Sequence, residues 1–254
     1  MKLEEYLDKN IPNWIDPCID PKSLSTFELK TPIKPKEYLA FSEQDILGKD
    51  LRGAVNALSN AKRAIDCQVE NITGAFGLPK KRSFPERLEQ IQTLGLVAPR
   101  IVRKIVKTRN LIEHRYAEIS VSDAEDAVDI ATLFVEATNK LFQHGHMRSL
   151  YISDRSTYVE ATAEEMASTL IDDESVSWRY REGLWVDYCD ENNDFCITVV
   201  TGRKEASEKL ITQKDPSFTK IIQFIIEHDM DGDKFDESAS AQEFINILNQ
   251  SFLA

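Results

Sequence analysis

Residues 51–76 read LRGAVNALSNAKRAIDCQVENITGAF, and their apolar spacing decides the fold expected of this chain. Leu51, Ala54, Val55, Leu58, Ala61, Ile65, Val69 and Ile72 recur at three- and four-residue steps. That is the apolar stripe of one long helix, ended by Gly74, Gly77 and Pro79. Working outward, a second helix runs from about Pro85 to Leu94, with Leu88, Ile91 and Leu94 inward, and breaks at Gly95. Pro99 is placed to open a third as an N1 proline; it carries Ile101, Val102, Ile105, Val106, Leu111 and Ile112. Ser122-Asp123-Ala124-Glu125 has the form of a capping box for a fourth helix reaching Leu141. Four helices with short connections predict an antiparallel bundle over residues 46–145.

The flanks read differently. Residues 1–45 are punctuated by Pro12, Pro17, Pro21, Pro32 and Pro35, which predicts an irregular arm packed through Trp14, Phe27 and Tyr38. After Gly145, strands are expected at Leu150–Ser153, Leu184–Cys189 and Phe195–Thr201. The last two form a hairpin through the turn residues of 190–194, and helices are expected at Ala163–Ile171, Ser217–His228 and Ala241–Leu253. Residues 146–254 thus read as an acidic α+β domain with more than twice as many acids as bases. The fold class predicted is mainly α: a four- to five-helix bundle followed by a smaller α+β domain.

Composition narrows the functions. There is no apolar N-terminal segment and no apolar run of about 18 residues, so neither a secretory signal nor a membrane span is expected. Cys18, Cys67, Cys189 and Cys196 form no CxxC pair and read as free thiols of a cytoplasmic protein. The net charge of −12 opposes a nucleic-acid partner, but its distribution does not. Between Leu78 and Tyr116 stand ten Lys/Arg against three Asp/Glu, a basic island suited to RNA or simply a solvated helix face.

Within that island lies Arg109-Asn110-Leu111-Ile112-Glu113-His114-Arg115-Tyr116. Arginine is a permanent cation that suits a phosphate, and histidine is the side chain that moves protons near neutral pH. The spacing resembles the Arg-x4-6-His signature of the HEPN superfamily, and its Arg-x4-His-x-Tyr form resembles the toxins of HEPN/MNT pairs. The resemblance covers about residues 45–142. It implies a HEPN-like bundle with the motif on its penultimate long helix, and a metal-independent endoribonuclease needing no cofactor. In that reading His114 is general base or acid, Arg109 stabilises charge on the phosphoryl oxygens, and Asn110 orients the imidazole or the phosphate. Lys104, Lys107, Arg103 and Arg115 are the candidate RNA contacts. Tyr116 is a candidate regulatory site, the position adenylylated in those pairs by the cognate nucleotidyltransferase.

Arg109 and His114 are about 140° apart around an ideal helix, so they do not share one face. The resemblance implies a homodimer whose two protomers complete one cleft, which relieves this geometry. The partners implied are therefore RNA, a second copy of the chain and a cognate antitoxin or nucleotidyltransferase, in a microbial defence or toxin–antitoxin setting. The alternative is a non-catalytic helical module that recruits protein, with Arg109–Glu113 an ordinary i,i+4 ion pair. His144-Gly145-His146 lacks further ligands and reads as a linker. Asp229–Asp233 opens like a calcium loop but has Lys234 and Ser240 where glycine and glutamate belong.

Overall fold

The computed structural model describes residues 1–96, 100, 104, 107, 119–143, 146–157, 182–189, 191–201, 204–228 and 237–253. In chain order its elements are α1 (Leu3–Lys9), β1 (Pro17–Ser25), α2 (Pro35–Ile46), α3 (Leu51–Ala75), α4 (Phe84–Thr93) and α5 (Val121–Asn139). There follow β2 (His146–Asp154), β3 (Gly183–Cys189), β4 (Asp194–Thr201), β5 (Lys204–Ile211), α6 (Pro216–Glu227) and α7 (Glu237–Phe252). Seven α-helices and a five-stranded antiparallel sheet among the described residues make this a mixed α/β protein. The expectation of a mainly α fold is overturned. Two strands were hidden from the periodicity because both lie at sheet edges, where proline and charge are tolerated.

The units are also divided differently from the predicted arm, bundle and tail. One unit is Thr26–His144; the other joins Met1–Ser25 to Gly145–Ala254. Residues 1–25 are therefore no irregular arm but a helix and a strand of the second unit. The arm's remaining stretch contributes α2, with Pro35 at its first turn, where a missing N–H costs nothing.

In the helical unit, α3 packs against α2, α4 and α5. Ala54, Leu58, Ala61, Ile65, Val69 and Ile72 are buried, while Leu51 and Val55 of the predicted stripe are exposed. The Asp50 carboxylate caps α3 by accepting from Gly53 N at 2.7 Å. Small residues let α2 and α3 close up. A Cβ at Gly53 would stand 2.3 Å from the Asp45 carbonyl oxygen, and buried Ser42 donates to the Ala57 carbonyl at 3.0 Å. Gln68 Nε2 donates across to Thr138 Oγ1 of α5 at 2.8 Å. The cap of α5 is Ser120, paired reciprocally with Asp123, so the capping box lies one half-turn before the one expected at Ser122. The predicted third helix falls largely outside the described residues, as do the predicted helix at 163–171 and the calcium-like loop at 229–233.

The second unit has strand order β1-β2-β3-β4-β5, each neighbour antiparallel. One face carries Ile19, Leu150, Ile152, Leu184, Val186, Phe195, Ile197 and Val199, all buried. Helices cover it: Phe218 of α6 meets Phe195 at 5.5 Å between ring centroids, and Phe224 of α6 meets Phe244 of α7 at 4.9 Å. The predicted hairpin of β3 and β4 turns at Asn193, which adopts a left-handed φ of 54°. β1 pairs with β2 from Pro17↔Asp154 to Ser25↔His146, so the whole helical unit is spliced into the chain between two neighbouring strands. His146, read as a linker residue, opens β2 and is buried.

The start of that pairing is fastened by Asp154. Its carboxylate accepts from the backbone N–H of Ile15, Asp16 and Ser156, each at 3.0 Å. Burial pushes its pKa up, but those three donors outweigh burial and hold it below the ordinary value. The stabilisation is complete above the unfolded-chain pKa of about 3.9 and is lost as pH falls through the lower folded value. Asp154→Asn should lower urea-unfolding stability at pH 7 by about 1–3 kcal/mol, since an amide N–H₂ then faces backbone donors. An unchanged midpoint would refute this role. Gly53→Ala should destabilise the helical unit by about 1–3 kcal/mol in the same assay. The clash is with fixed backbone, and it exceeds the roughly 1 kcal/mol that alanine gains over glycine in helix propensity.

Candidate functional site

Of the residues singled out from sequence, Arg103, Arg109, Asn110, His114, Arg115 and Tyr116 lie outside the described residues. Lys104 and Lys107 are described: both are helical and exposed, as is Arg100. Steps of four and three place these three cations on one helical face, a row open to solvent.

The helical unit also holds a cleft of about 660 Å³ that the sequence did not single out. Its walls are the segment Lys30–Pro32, the end of α3 with the loop after it through Lys81, and Arg87 and Gln90 of α4. The loop is shaped by the way α3 stops. Gly77 takes a left-handed φ of 57°, Leu78 N donates to Thr73 O at 2.8 Å, and Gly77 N donates to Gly74 O at 3.3 Å. These two bonds are the Schellman pattern, which turns Pro79, Lys80 and Lys81 back beside the helix end. Ser83 then caps α4 reciprocally with Glu86, whose carboxyl is held below its usual range by the Ser83 backbone N–H and then the Ser83 side chain.

The opposite wall is held by Asn71 of α3. Asn71 Oδ1 accepts from Lys30 N at 2.9 Å and Thr31 N at 3.2 Å, and its Nδ2 donates to Thr31 Oγ1 at 2.9 Å. The Cys67 thiol, its pKa raised mainly by burial, stays protonated and donates to Thr31 Oγ1 at 3.1 Å. Lys30 is thereby brought to face a loop fifty residues later in sequence.

Among the described residues the cleft is electrostatically lopsided, with Lys30, Lys80, Lys81 and Arg87 against Glu70. Pro32, Leu78 and Pro79 give it an apolar floor. Two atoms of α4 are buried without a partner, the donor Arg87 Nε and the acceptor Gln90 Oε1, although Gln90 Nε2 donates to Pro79 O at 3.1 Å. The surplus of cations in its lining suits the cleft to an anion. Among the described residues no group of three His, Cys, Asp or Glu is arranged to hold a metal ion. No described helix is long and apolar enough to cross a membrane, and all four cysteines are unpaired.

Comparison with family models, with curated proteins and with solved structures gave no match to this chain. The cleft's partial signal in the sequence was the basic island, which already contained Lys80, Lys81 and Arg87. Lys30 carried no signal, because only the side chain of Asn71 brings it there. Asn71→Ala should cost about 1–3 kcal/mol of stability by leaving the N–H groups of Lys30 and Thr31 without their acceptor. Thermal unfolding and amide exchange at residues 30–31 measure it, and unchanged protection there would contradict the role.

Proposed function

We propose that this chain is a metal-independent endoribonuclease of HEPN type that acts as a homodimer in the cytoplasm, within a microbial defence or toxin–antitoxin system. The observation that carries the reading is the exposed helical row Arg100, Lys104 and Lys107, which leads in sequence straight into Arg109 and His114. A seven-residue step from Lys107 lands on His114, the same period that sets the row. Exposed cations at helical spacing suit the evenly charged backbone of RNA.

In the proposed reaction the ribose 2′-oxygen attacks the adjacent phosphorus as the bond from phosphorus to the 5′-oxygen breaks. The products are a 2′,3′-cyclic phosphate and a 5′-hydroxyl. One His114 takes the 2′-OH proton, and the His114 of a second copy gives a proton to the departing 5′-oxygen. Arg109 bears on the non-bridging oxygens, where negative charge builds. Asn110 orients the imidazole or the phosphate, and Lys104, Lys107, Arg103 and Arg115 grip flanking phosphates. Tyr116 is the residue at which a cognate nucleotidyltransferase or antitoxin would silence the enzyme.

The deciding measurement is cleavage of total and transfer RNA in EDTA by the wild type, His114→Ala and Arg109→Ala. The proposal expects cyclic-phosphate ends from the wild type and a loss of at least about a hundredfold in each variant, with fold and dimer retained. Intact RNA from a folded, dimeric wild type would overturn it and favour the non-catalytic protein-recruiting module. Lys104→Glu with Lys107→Glu should weaken RNA binding and flatten its dependence on salt by about two charges' worth of slope.

A further inference from the structure

We infer that the cleft between residues 30–32, the end of α3 and α4 is a binding site for a free nucleoside polyphosphate. Its volume of about 660 Å³ falls in the range of about 300–1,000 Å³ usual for small-molecule sites. Among the described residues, four cations against one carboxylate leave a surplus of three positive charges, which matches the charge of a nucleoside di- or triphosphate. The cations stand on three separate stretches of chain, Lys30 on one, Lys80 and Lys81 on the second, and Arg87 on the third. An anion held there is approached from several sides rather than along one exposed face.

The uncharged part of the ligand is specified by what the cleft leaves unsatisfied. Arg87 Nε is a buried donor without an acceptor, and Gln90 Oε1 is a buried acceptor without a donor. An orphaned buried polar atom has lost its water without gaining a partner, so the two side chains gain by turning toward an occupant. They are three residues apart on α4 and so turn into the same space. Inorganic phosphate satisfies only the arginine. A nucleoside phosphate has both complements, phosphoryl oxygens for Arg87 and ribose hydroxyl or base amino protons for Gln90. Pro32, Leu78 and Pro79 supply the apolar surface against which a flat base can lie. The left-handed Gly77 and the Asn71 clamp hold both walls in place before anything binds, which reduces the ordering cost of association.

The site does not depend on ribonuclease activity, and its test is read by binding. Full-length protein is titrated calorimetrically with ATP, GTP and inorganic pyrophosphate, and by fluorescence anisotropy with a labelled single-stranded RNA pentamer in the His114→Ala background. Saturable binding of ATP or GTP is expected. Arg87→Gln, and Lys80→Glu with Lys81→Glu, should each weaken it by at least about tenfold, which is about 1.4 kcal/mol. Gln90→Leu should weaken ATP or GTP while leaving pyrophosphate unchanged, and Lys104→Glu should alter neither. Thermal unfolding of each variant confirms the fold, and Arg87→Lys, which keeps the charge but loses Nε, separates charge from the orphaned donor. No binding of either triphosphate, equal binding by the variants, or binding of the pentamer alone through these residues would overturn the assignment.

Discussion

The pairing of β1 with β2 is the contact on which the rest of the chain depends. It joins residues 17–25 to 146–154, and everything between the two strands is the helical unit. Closing so long a connection costs chain entropy, though only about 0.6 kcal/mol for each doubling of its length. Against that stand the strand ladder, the buried pair Ile19↔Ile152 and the Asp154 carboxylate on three backbone donors. Arg155 adds its own N–H to Asp16 O at 2.8 Å and an ion pair to Glu237 of α7. A folded helical unit lowers the closure cost further. It replaces a freely fluctuating connection with one whose ends lead to the partnered residues Ser25 and His146.

Burial decided which parts of this fold could be read from sequence. β3 and β4 are central strands with a buried face, so Leu184, Val186, Phe195, Ile197 and Val199 showed their alternation plainly. β1 and β5 are the edges. Pro17 and Pro21 in β1 looked like strand breakers, yet an edge strand can spare a ladder N–H, and the register shifts just after Pro21. β5 reads KEASEKLI, whose charges discourage pairing with another chain and disguise the strand. The long stripe of α3 was legible for the opposite reason: it packs against three other helices, α2, α4 and α5. Its first members, Leu51 and Val55, lie four residues apart on one face that is exposed, while Ala54 between them is buried on another.

The site was legible only where charge clusters in sequence. The basic island pointed to Lys80, Lys81, Arg87, Lys104 and Lys107 without saying which of them enclose a space. What separates the first three from the last two is backbone geometry, a left-handed Gly77 and a Schellman turn, together with one asparagine acting across forty residues. Side-chain to backbone bonds of this long range leave no periodicity behind them. Asn71 sits in α3 as one more polar residue between apolar ones.

Charge follows the boundary between the units, and this changes how the acidity of the chain is to be read. The unit of Met1–Ser25 with Gly145–Ala254 carries 13 Lys/Arg against 27 Asp/Glu, whereas Thr26–His144 carries 18 against 16. The sheet unit's balance of −14 therefore exceeds the net charge of −12, and the helical unit offsets it with +2. The helical unit is close to neutral and concentrates its cations between Leu78 and Tyr116. An acidic total thus places no bar on an anionic ligand for the helical unit, whose own balance is slightly cationic. Nor is the acidic unit a tail that can be cut away. Removing residues 147–254 would take β3, β4, β5 and nearly all of β2, leaving α1 and the buried Ile19 of β1 without a sheet. The piece that can be separated from the acidic charge is the internal segment 26–144, whose two ends lead from partnered strands.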